Sequence, residues 1–372
     1  MLSEPQTSDP RPRPLDGHAV PSLEVRATPL RPCPDSGPHP DLHQPALQIH
    51  RPAVSEFRTF LEVFRTSSLT FSETSRHYHV KRVRAAWRAL VHYRLWRCWY
   101  AFLLSSPLAA IARHHPRFYE KPFRPYLHRN LTRAESYRVI REHYLFVQQH
   151  APVTFLAALL ENRPFLLNEQ SVGDLKAPLY VNLGYARHMR QEGELTLSLG
   201  TLESHNATPR HEWIASLTFV VHLGASGWEI LIGGVQGGHA GGEGKDGAKL
   251  ATRVFHGLRP KFLLIDILRQ VAGSWNISHI YAVGDDAHVF RRRRYRNRIN
   301  IRSSYNDLWR EAGGQAVANG FFLLPAAAHR RSPAEIPSNK RAEYARRYDV
   351  LDAIHEEVHA KLASLQQIGQ VA

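Results

Sequence analysis

The sequence predicts an α+β fold in which an antiparallel or mixed sheet follows a helical N-terminal region. Three observations predict it. Residues 56–170 show the apolar spacing of helices, whereas an alternating pattern typical of strands begins near residue 176. A strongly amphipathic helix that begins at Pro260 then separates the first strands from the later ones. A hydrophobic content of 43% in 372 residues is enough for a sizeable core.

Changes in composition divide the chain into four segments. Residues 1–52 are rich in proline and lack apolar periodicity, so we expect a disordered tail. Residues 53–170 form the helical region, residues 171–330 the domain that contains the strands, and residues 331–372 a charged C-terminal helix. A tail of this composition is more often tolerated than functional.

A basic amphipathic helix is predicted between Lys81 and Ser105. Its apolar residues at helical spacing are Val83, Trp87, Val91, Leu95, Cys98 and Phe102, and its arginines are Arg84, Arg88, Arg94 and Arg97. Such a helix could lie on an anionic membrane surface, or it could pack its apolar stripe on the core with the arginines in water. The second alternative is favoured, because surface helices commonly show such a stripe.

The next helix and the strands have clear local signals. Thr132 and Glu135 form a capping box at the start of a helix. The closely spaced strands with glycines near their turns predict an antiparallel meander. In chain order, the sequence predicts strands at 179–183, 195–199, 214–223 and 228–235, a basic loop, the helix from Pro260 to Trp275, a strand at 279–284, a helix at 305–312, a strand at 320–325 and a helix at 335–366.

The charge and cysteine content limit the function classes. A formal net charge of +15 predicts a polyanionic neighbour, which could be nucleic acid, an anionic membrane surface or a phosphorylated small ligand. Cys33 and Cys98 make neither a disulfide framework nor a zinc site, as expected in a reducing compartment. The chain shows no secretory signal and no apolar run of about 20 residues. We therefore expect a cytoplasmic protein, with peripheral association with the inner membrane left open.

The junction before Pro260 is the predicted ligand-binding site. A strand, a glycine turn and a helix place backbone N–H groups at a helix N-terminus, where they suit an anion. Arg259 and Lys261 flank Pro260, so their charges add to the helix dipole. The predicted phosphate-binding residues before the helix are Gln236, Gly237 and Gly238. No Walker A or G-x-G-x-x-G motif is present, and a flexible glycine loop is the alternative.

The candidate catalytic residues are His288 and Glu194. His288 follows a predicted strand end, where a histidine could act as a general base. A single histidine among 23 is, however, more often structural. Glu192 and Glu194 offer carboxylates at the start of a strand, where such groups are more often solvated than catalytic. No metal site is predicted, because zinc-binding motifs are missing, and no serine-hydrolase motif occurs.

A run of arginines forms the most conspicuous positive charge. Seven arginines surround Tyr295 without an acidic residue among them, and they are expected to bind phosphates. Arg291, Arg294 and Arg296 are the predicted anion-binding residues of this run. A solvated loop is the alternative. Nucleic acid is the least favoured partner, because only the charge supports it.

Many short motifs resemble the VirK/YbjX family in the same order. They include His256-Gly-Leu-Arg-Pro-Lys261, Val283-Gly-Asp-Asp-Ala-His288, Tyr305-Asn-Asp-Leu-Trp309 and Gly320-Phe-Phe-Leu-Leu-Pro325. The resemblance extends over roughly residues 80–355. It implies a bacterial protein of a family without an assigned biochemical function. Members in enteric pathogens are connected with virulence and with the state of the cell envelope, so the resemblance implies a context and no reaction.

The order of elements is also similar to that of GNAT-type acyltransferases. This resemblance implies a GNAT-like strand–helix–strand core, in which the turn before the long helix holds the pyrophosphate of coenzyme A. The sequence departs from the GNAT motif at His239, which stands where the first glycine after Gln236 belongs, and in the inserted stretch before Pro260.

Two functions from different classes follow. The first is transfer of an acyl or aminoacyl group from acyl-CoA to an amine or hydroxyl, with Arg259 and Lys261 on the donor phosphates and His288 as base. The second is a non-enzymatic protein that binds anionic lipid or another polyanion through its basic 84–97 face and the arginines of residues 291–302.

Overall fold

An eight-stranded mixed sheet lies at the centre of the fold, with strand order β1-β2-β3-β4-β5-β6-β8-β7. The computed structural model describes residues 61, 64–65, 77–105, 108, 116–161, 163–171, 178–186, 189–205, 208–238, 242–292 and 304–370. The described residues all belong to one compact unit, residues 54–372. The strands are β1 (Phe165–Gln170), β2 (Leu179–Tyr185), β3 (Leu195–His205), β4 (Thr208–Gly224), β5 (Gly227–Gly237), β6 (His279–Val283), β7 (Gln315–Ala316) and β8 (Phe321–Leu324).

The predicted meander is confirmed, since β2 to β5 pair antiparallel in sequence order. The alternation of apolar residues along the strands explains why they were predictable. In β2, for example, Leu179, Val181 and Leu183 are fully buried and the residues between them are half-buried. Strand β1 lies in the region predicted to be helical, so that prediction is wrong for residues 165–170. This strand has a register shift between Leu166 and Asn168 and therefore lacks regular alternation.

Strands β5 and β6 run parallel, and their pairing stops before β5 ends. The β5–β6 ladder finishes at the pair Ile232 and Ala282. β5 continues to Gly237, where it pairs with Ala215 of β4 alone. On its other side, β6 pairs antiparallel with β8. The sheet therefore has an opening beside the last five residues of β5.

Helices pack against this sheet. They are α1 (Tyr78–Val91), α2 (Tyr93–Ser105), a 3₁₀ helix (Pro116–Phe123), α3 (Arg133–His150), α4 (Val153–Leu160), α5 (Gly242–Val254), α6 (Pro260–Ser274), α7 (Tyr305–Glu311) and α8 (Arg341–Gln370). The capping box of α3 is confirmed, because Thr132 Oγ1 accepts from the backbone of Glu135 and Glu135 Oε2 accepts from the backbone of Thr132. In the part of the chain that the structure describes, no helix has the length and apolarity needed to cross a membrane.

Two predictions about helices are wrong. Residues 242–254 form α5, where the sequence analysis predicted a basic loop. Glycines obscure the helical pattern of this segment, and contacts of the buried Ala251 with the core stabilise it. The C-terminal helix begins at Arg341 and not at residue 335, because a 3₁₀ turn follows Pro337.

The orientation of the basic N-terminal helix also differs from the favoured prediction. The segment consists of two helices, α1 and α2, which are separated at His92. The core-facing residues of α2 are Trp96, Trp99 and Leu103, and those of α1 are Ala85, Ala86 and Ala89. Trp87 is 65% exposed, and Val83 and Val91 are exposed on the same side. The predicted stripe on α1 therefore faces solvent, because alanines give the closer fit to the core.

Two histidines lie near the β4–β5 hairpin, of which His143 is buried and His222 is half-buried. His143 Nδ1 accepts a hydrogen bond from the Val221 N–H at 3.1 Å. His222 Nε2 lies 3.3 Å from Glu229 Oε2, and neither of its ring nitrogens has a hydrogen-bond partner among the described residues. Burial lowers the pKa of His143 to about 3 and that of His222 to about 4. Burial also raises the pKa of Glu142 and of Glu229 beside them.

Lowering the pH from 7 to 5 is expected to reduce the contribution of these histidines to the free energy of unfolding. Between pH 6.5 and about 4, His222 binds a proton in the unfolded chain and not in the folded protein. The free energy of unfolding therefore decreases as the pH is lowered through this window. Each histidine contributes a loss of about 2 kcal/mol at most over this interval. Urea unfolding at pH 7, 6 and 5 measures it.

The variant His222→Gln separates this effect from that of Glu142 and Glu229, whose raised pKa values act in the opposite direction. We expect it to remove roughly half of the loss caused by the two histidines. His329→Gln, at an exposed position, is the matched control. A His222→Gln protein with the same pH dependence as the wild type would contradict the assignment.

Candidate functional site

A cavity of about 780 Å³ lies where α5 and the N-termini of α6 and α7 meet the middle of β4 and the end of β5. Its volume is typical of small-molecule sites. The lining residues are Ile214, Ala215, Gly237, Ala248, Lys249, Thr252, Arg259, Pro260, Lys261, Phe262, Ser304, Asp307, Leu308 and Glu311.

The N-terminus of α6 forms a cationic end of this cavity. Pro260 is the first helical residue, and no side chain caps the helix. Arg259 pairs with the carboxylate of Glu311. Burial, and then the charge of Arg259, lowers the pKa of Lys261, so its surroundings disfavour the ammonium ion. A helix N-terminus with such a lysine suits a bound anion.

Part of the remaining cavity wall is apolar, and the polar side chains of α5 and α7 line the rest of it. Ile214 and Ala215 come from β4, Ala248 from α5 and Leu308 from α7, while Phe262 follows the cationic end. A ligand that fits both parts carries a negatively charged group joined to an apolar or aromatic portion.

The structure brings three of the predicted phosphate-binding residues together and separates two others from them. Gly237, Arg259 and Lys261 line the cavity, and a Cβ at position 237 would lie 4.0 Å from Lys261 Cε. Gly238 packs on the backbone instead, where a Cβ would come within 2.3 Å of the Trp213 carbonyl oxygen. The Gln236 side chain is directed to Glu192.

A polar cluster in the opening beside β5 contains His288. We define the Glu192 cluster as Glu192, Gln236, His288 and Tyr305. Glu192 Oε1 lies 3.0 Å from His288 Nε2, and Gln236 Nε2 donates to Glu192 Oε2 at 3.1 Å. The rings of His288 and Tyr305 stack with centroids 5.1 Å apart. Glu192 and His288 are each 1% exposed, whereas Gln236 is exposed and covers them from outside.

The hydrogen bonds of His288 determine its tautomer. Its Nδ1 accepts from the backbone N–H of Phe290 at 3.3 Å, so the ring proton is on Nε2 and is donated to Glu192. Burial raises the pKa of Glu192, and the hydrogen bond from His288 partly offsets this rise. Both nitrogens of His288 are therefore occupied, and the proton-accepting group of the cluster is the Glu192 carboxylate. The expectation that a carboxylate at this position is solvated is wrong for Glu192, which is buried and hydrogen-bonded.

The glycines of β5 make space for Glu192. A Cβ at Gly233 would lie 1.8 Å from the Glu192 carbonyl oxygen, and a Cβ at Gly234 would lie 2.3 Å from Glu192 Oε1. The first part of the glycine cluster thus admits a neighbouring chain segment and is neither a flexible loop nor a ligand-binding turn. Two adjacent glycines inside an otherwise buried strand are the sequence signal for such a close approach.

Glu194, the other predicted catalytic residue, belongs to a separate buried network. Its carboxylate forms an ion pair with Lys121 and accepts from the hydroxyls of Tyr126 and Tyr144. Lys121 also donates to the Tyr185 hydroxyl at 3.3 Å. Burial alone lowers the pKa of Lys121, but the charge of Glu194 raises it above its ordinary value. The Glu194 carboxylate is buried, and the ammonium ion of Lys121 and two tyrosine hydroxyls occupy its oxygens, so we assign it a structural role.

Little of the arginine run lies in the described part of the chain. Arg291 Nε donates to the carbonyl oxygen of Asp285 at 3.3 Å. The Asp285 carboxylate accepts from the backbone N–H of Tyr305 at 2.7 Å and so caps α7. Arg294 and Arg296 lie outside the described residues.

Comparison with known proteins identifies the family. A family model described as "Protein of unknown function (DUF535)" matches residues 74–360. The chain belongs to this family. It is 31% identical over 273 residues to the uncharacterised protein YbjX of Escherichia coli (strain K12), which covers 73% of this chain and 80% of that protein. The resemblance to VirK/YbjX is thus confirmed.

Two uncharacterised proteins of Haemophilus influenzae are more distant relatives of this DUF535 chain. They are 25% and 26% identical to it over 60% and 64% of its length, and the matches cover 70% and 73% of those proteins. No solved structure matches the chain. The DUF535 match includes the cavity and the Glu192 cluster, so both lie within the family's part of the chain.

The substitution Gly233→Ala is expected to lower the free energy of unfolding by about 3 kcal/mol, because the new methyl group would overlap the Glu192 backbone. Gly273→Ala is the matched control, since a Cβ there, in the last turn of α6, meets nothing within 4 Å. We expect the control to be neutral or to stabilise the protein by up to about 1 kcal/mol. Denaturant unfolding compares the two, and equal stabilities would rule out the close approach.

The substitution Glu194→Gln is expected to cost about 3–5 kcal/mol of stability, because it leaves the buried ammonium ion of Lys121 without a counter-ion. Glu161→Gln removes an exposed partner of Arg163 and should change stability by about 0.5 kcal/mol or less. Thermal and urea unfolding measure both. A Glu194→Gln protein of wild-type stability would argue against the structural role.

Proposed function

We propose that this DUF535 protein is a GNAT-like acyltransferase that takes its donor from acyl-CoA. The cavity at the start of α6 carries the proposal, because it combines a cationic helix N-terminus with a partly apolar wall. Coenzyme A thioesters have both matching parts, namely phosphates and a largely uncharged arm that leads to the acyl group. The acceptor would be an amine or a hydroxyl, in the cell-envelope and virulence context that the resemblance to VirK/YbjX implies.

The order of elements supports the proposal. An antiparallel meander leads into β5, and α6, the parallel strand β6, α7 and β8 follow, which is the order of the resemblance to GNAT-type proteins. The stretch inserted before Pro260 contains α5, which contributes Ala248 and Thr252 to the cavity wall. The insertion thus leaves the N-terminus of α6 on the cavity surface.

The donor phosphates would bind at the cationic end. Lys261 supplies charge, Arg259 would add its own on exchanging Glu311 for a phosphate, and the first turn of α6 supplies the positive end of its dipole. The pKa of Lys261 is lowered by burial and by Arg259, which disfavours its ammonium form. A bound anion would stabilise the ammonium form and raise this pKa again. Gly237 allows the ligand to approach the strand end closely.

The thioester supplies an activated acyl carbon, and the acceptor loses a proton as its new bond to that carbon forms and the carbon–sulfur bond breaks. Glu192 is the group best suited to take this proton, because burial raises the pKa of its carboxylate above its ordinary value and so makes it a stronger base. His288 would act through Glu192 by orienting it with a hydrogen bond. Gln236 covers Glu192, so access requires the Gln236 side chain to move.

Ligand-induced thermal shift tests the donor site. We expect acyl-CoA at 100 times its dissociation constant to stabilise the protein by about 2.7 kcal/mol, with a larger shift than ADP gives. The double variant Arg259→Ala with Lys261→Ala should lose affinity by about 100-fold or more, because each charge-assisted hydrogen bond contributes about 1.5–3 kcal/mol. Titrations with acetyl-CoA, a long-chain acyl-CoA, free coenzyme A and ADP compare the ligands.

The double variant Lys340→Ala with Arg346→Ala is the matched control, because it removes the same charge at exposed positions outside the cavity. Its affinity should equal that of the wild type. Equal losses in both double variants would indicate non-specific attraction, and no shift with any thioester would refute the donor site. If thioesters bind but amine acceptors release no free thiol from them, the protein binds the donor without transferring its acyl group.

A further inference from the structure

Helix α1 has its apolar stripe on the side opposite to its core contacts. Ala85, Ala86 and Ala89 face the core. The outward residues recur at helical spacing and are Val80 (46% exposed), Val83 (53%), Trp87 (65%) and Val91 (58%). These four are half of the exposed large apolar side chains in the described part of the chain. We name them the α1 stripe.

The charged residues within α1 and α2 have one sign, and Glu120, which lies outside both helices, pairs with Arg88. No aspartate or glutamate occurs between Glu73 and Glu120, whereas nine lysines and arginines do. Arg84 is exposed next to the stripe, and Arg94 is exposed just beyond the end of α1. Apolar residues flanked by cations match a surface that offers both phosphates and hydrocarbon.

We propose that the α1 stripe docks on an anionic lipid bilayer. Trp87 would lie at the boundary between headgroups and acyl chains, where its amphipathic ring is favoured, with the three valines beside it. Arg84 and Arg94 would bind lipid phosphates while their aliphatic portions cover apolar surface. The alanine face would keep its contacts with the core, so docking requires no unfolding of α1.

A second copy of the chain fits the α1 stripe less well. Pairing two stripes would bring arginines against arginines without a carboxylate between them. Four side chains on one helix also fall well short of the roughly 20–30 residues that each partner contributes to a standard protein interface. A bilayer needs neither a complementary shape nor a large contact, because electrostatic attraction and insertion of a few side chains add together.

Vesicle flotation tests this proposal with the full-length protein. We expect binding to phosphatidylcholine vesicles containing about one third phosphatidylglycerol, weak binding to pure phosphatidylcholine, and a steep decrease with salt. Trp87→Ala should reduce the partition coefficient by about tenfold or more. Arg84→Gln and Arg94→Gln should each reduce it by about fivefold.

Trp213→Ala is the matched control, because Trp213 is an exposed tryptophan of β4 and not of α1. It should bind vesicles like the wild type. Loss of binding in Trp87→Ala and Trp213→Ala alike, or in neither, would overturn the proposal. A lipid-independent dimer that Trp87→Ala dissociates would assign the stripe to a second copy instead. The proposal is independent of the acyl-CoA site, so Arg259→Ala with Lys261→Ala should leave vesicle binding unchanged.

Discussion

The buried carboxylate of Glu192 holds the parts of the candidate site together. It accepts hydrogen bonds from His288 and Gln236, and so joins the β2–β3 connection to the segment after β6 and to the end of β5. A buried carboxylate without partners would cost several kcal/mol, so these segments are expected to assemble together. Because Gln236 directly precedes Gly237, the partner of Glu192 also sets the position of a cavity-lining residue. The glycine-rich end of β5 thus packs against a hydrogen-bonded network and is not a flexible loop.

Local patterns explain which elements could be predicted from the sequence. Alternation predicted the meander, the capping box predicted the start of α3, and Pro260 with its flanking cations predicted the cationic end of the cavity. In each case the deciding residues are neighbours along the chain. The glycines in the first turns of α5 weakened its helical pattern, so that helix was missed. The direction of the α1 stripe was missed because small alanines, and not large apolar residues, fit the core.

Long-range partners explain why the surroundings of Glu192 and Glu194 could not be predicted from the sequence. Glu192 and Glu194 are two residues apart, yet one meets His288 and the other meets Lys121. No spacing rule separates them, because their partners lie 96 and 73 residues away along the chain. The paired glycines of β5 carried the missing information, since a strand without side chains there leaves room for another segment. Reading those glycines as space for a buried group, and not as a phosphate-binding turn, would have favoured Glu192.

The ion pair of Lys121 and Glu194 has a consequence for how the sequence can change over generations. Each residue is expected to be costly to replace alone, because its partner would remain as an uncompensated buried charge. Replacing both with apolar residues of similar volume can be neutral, but the hydroxyls of Tyr126 and Tyr144 would then lose their acceptor. An apolar version of this core therefore requires several coordinated substitutions, each deleterious by itself. The polar network would therefore persist during evolution even where it adds nothing to the activity.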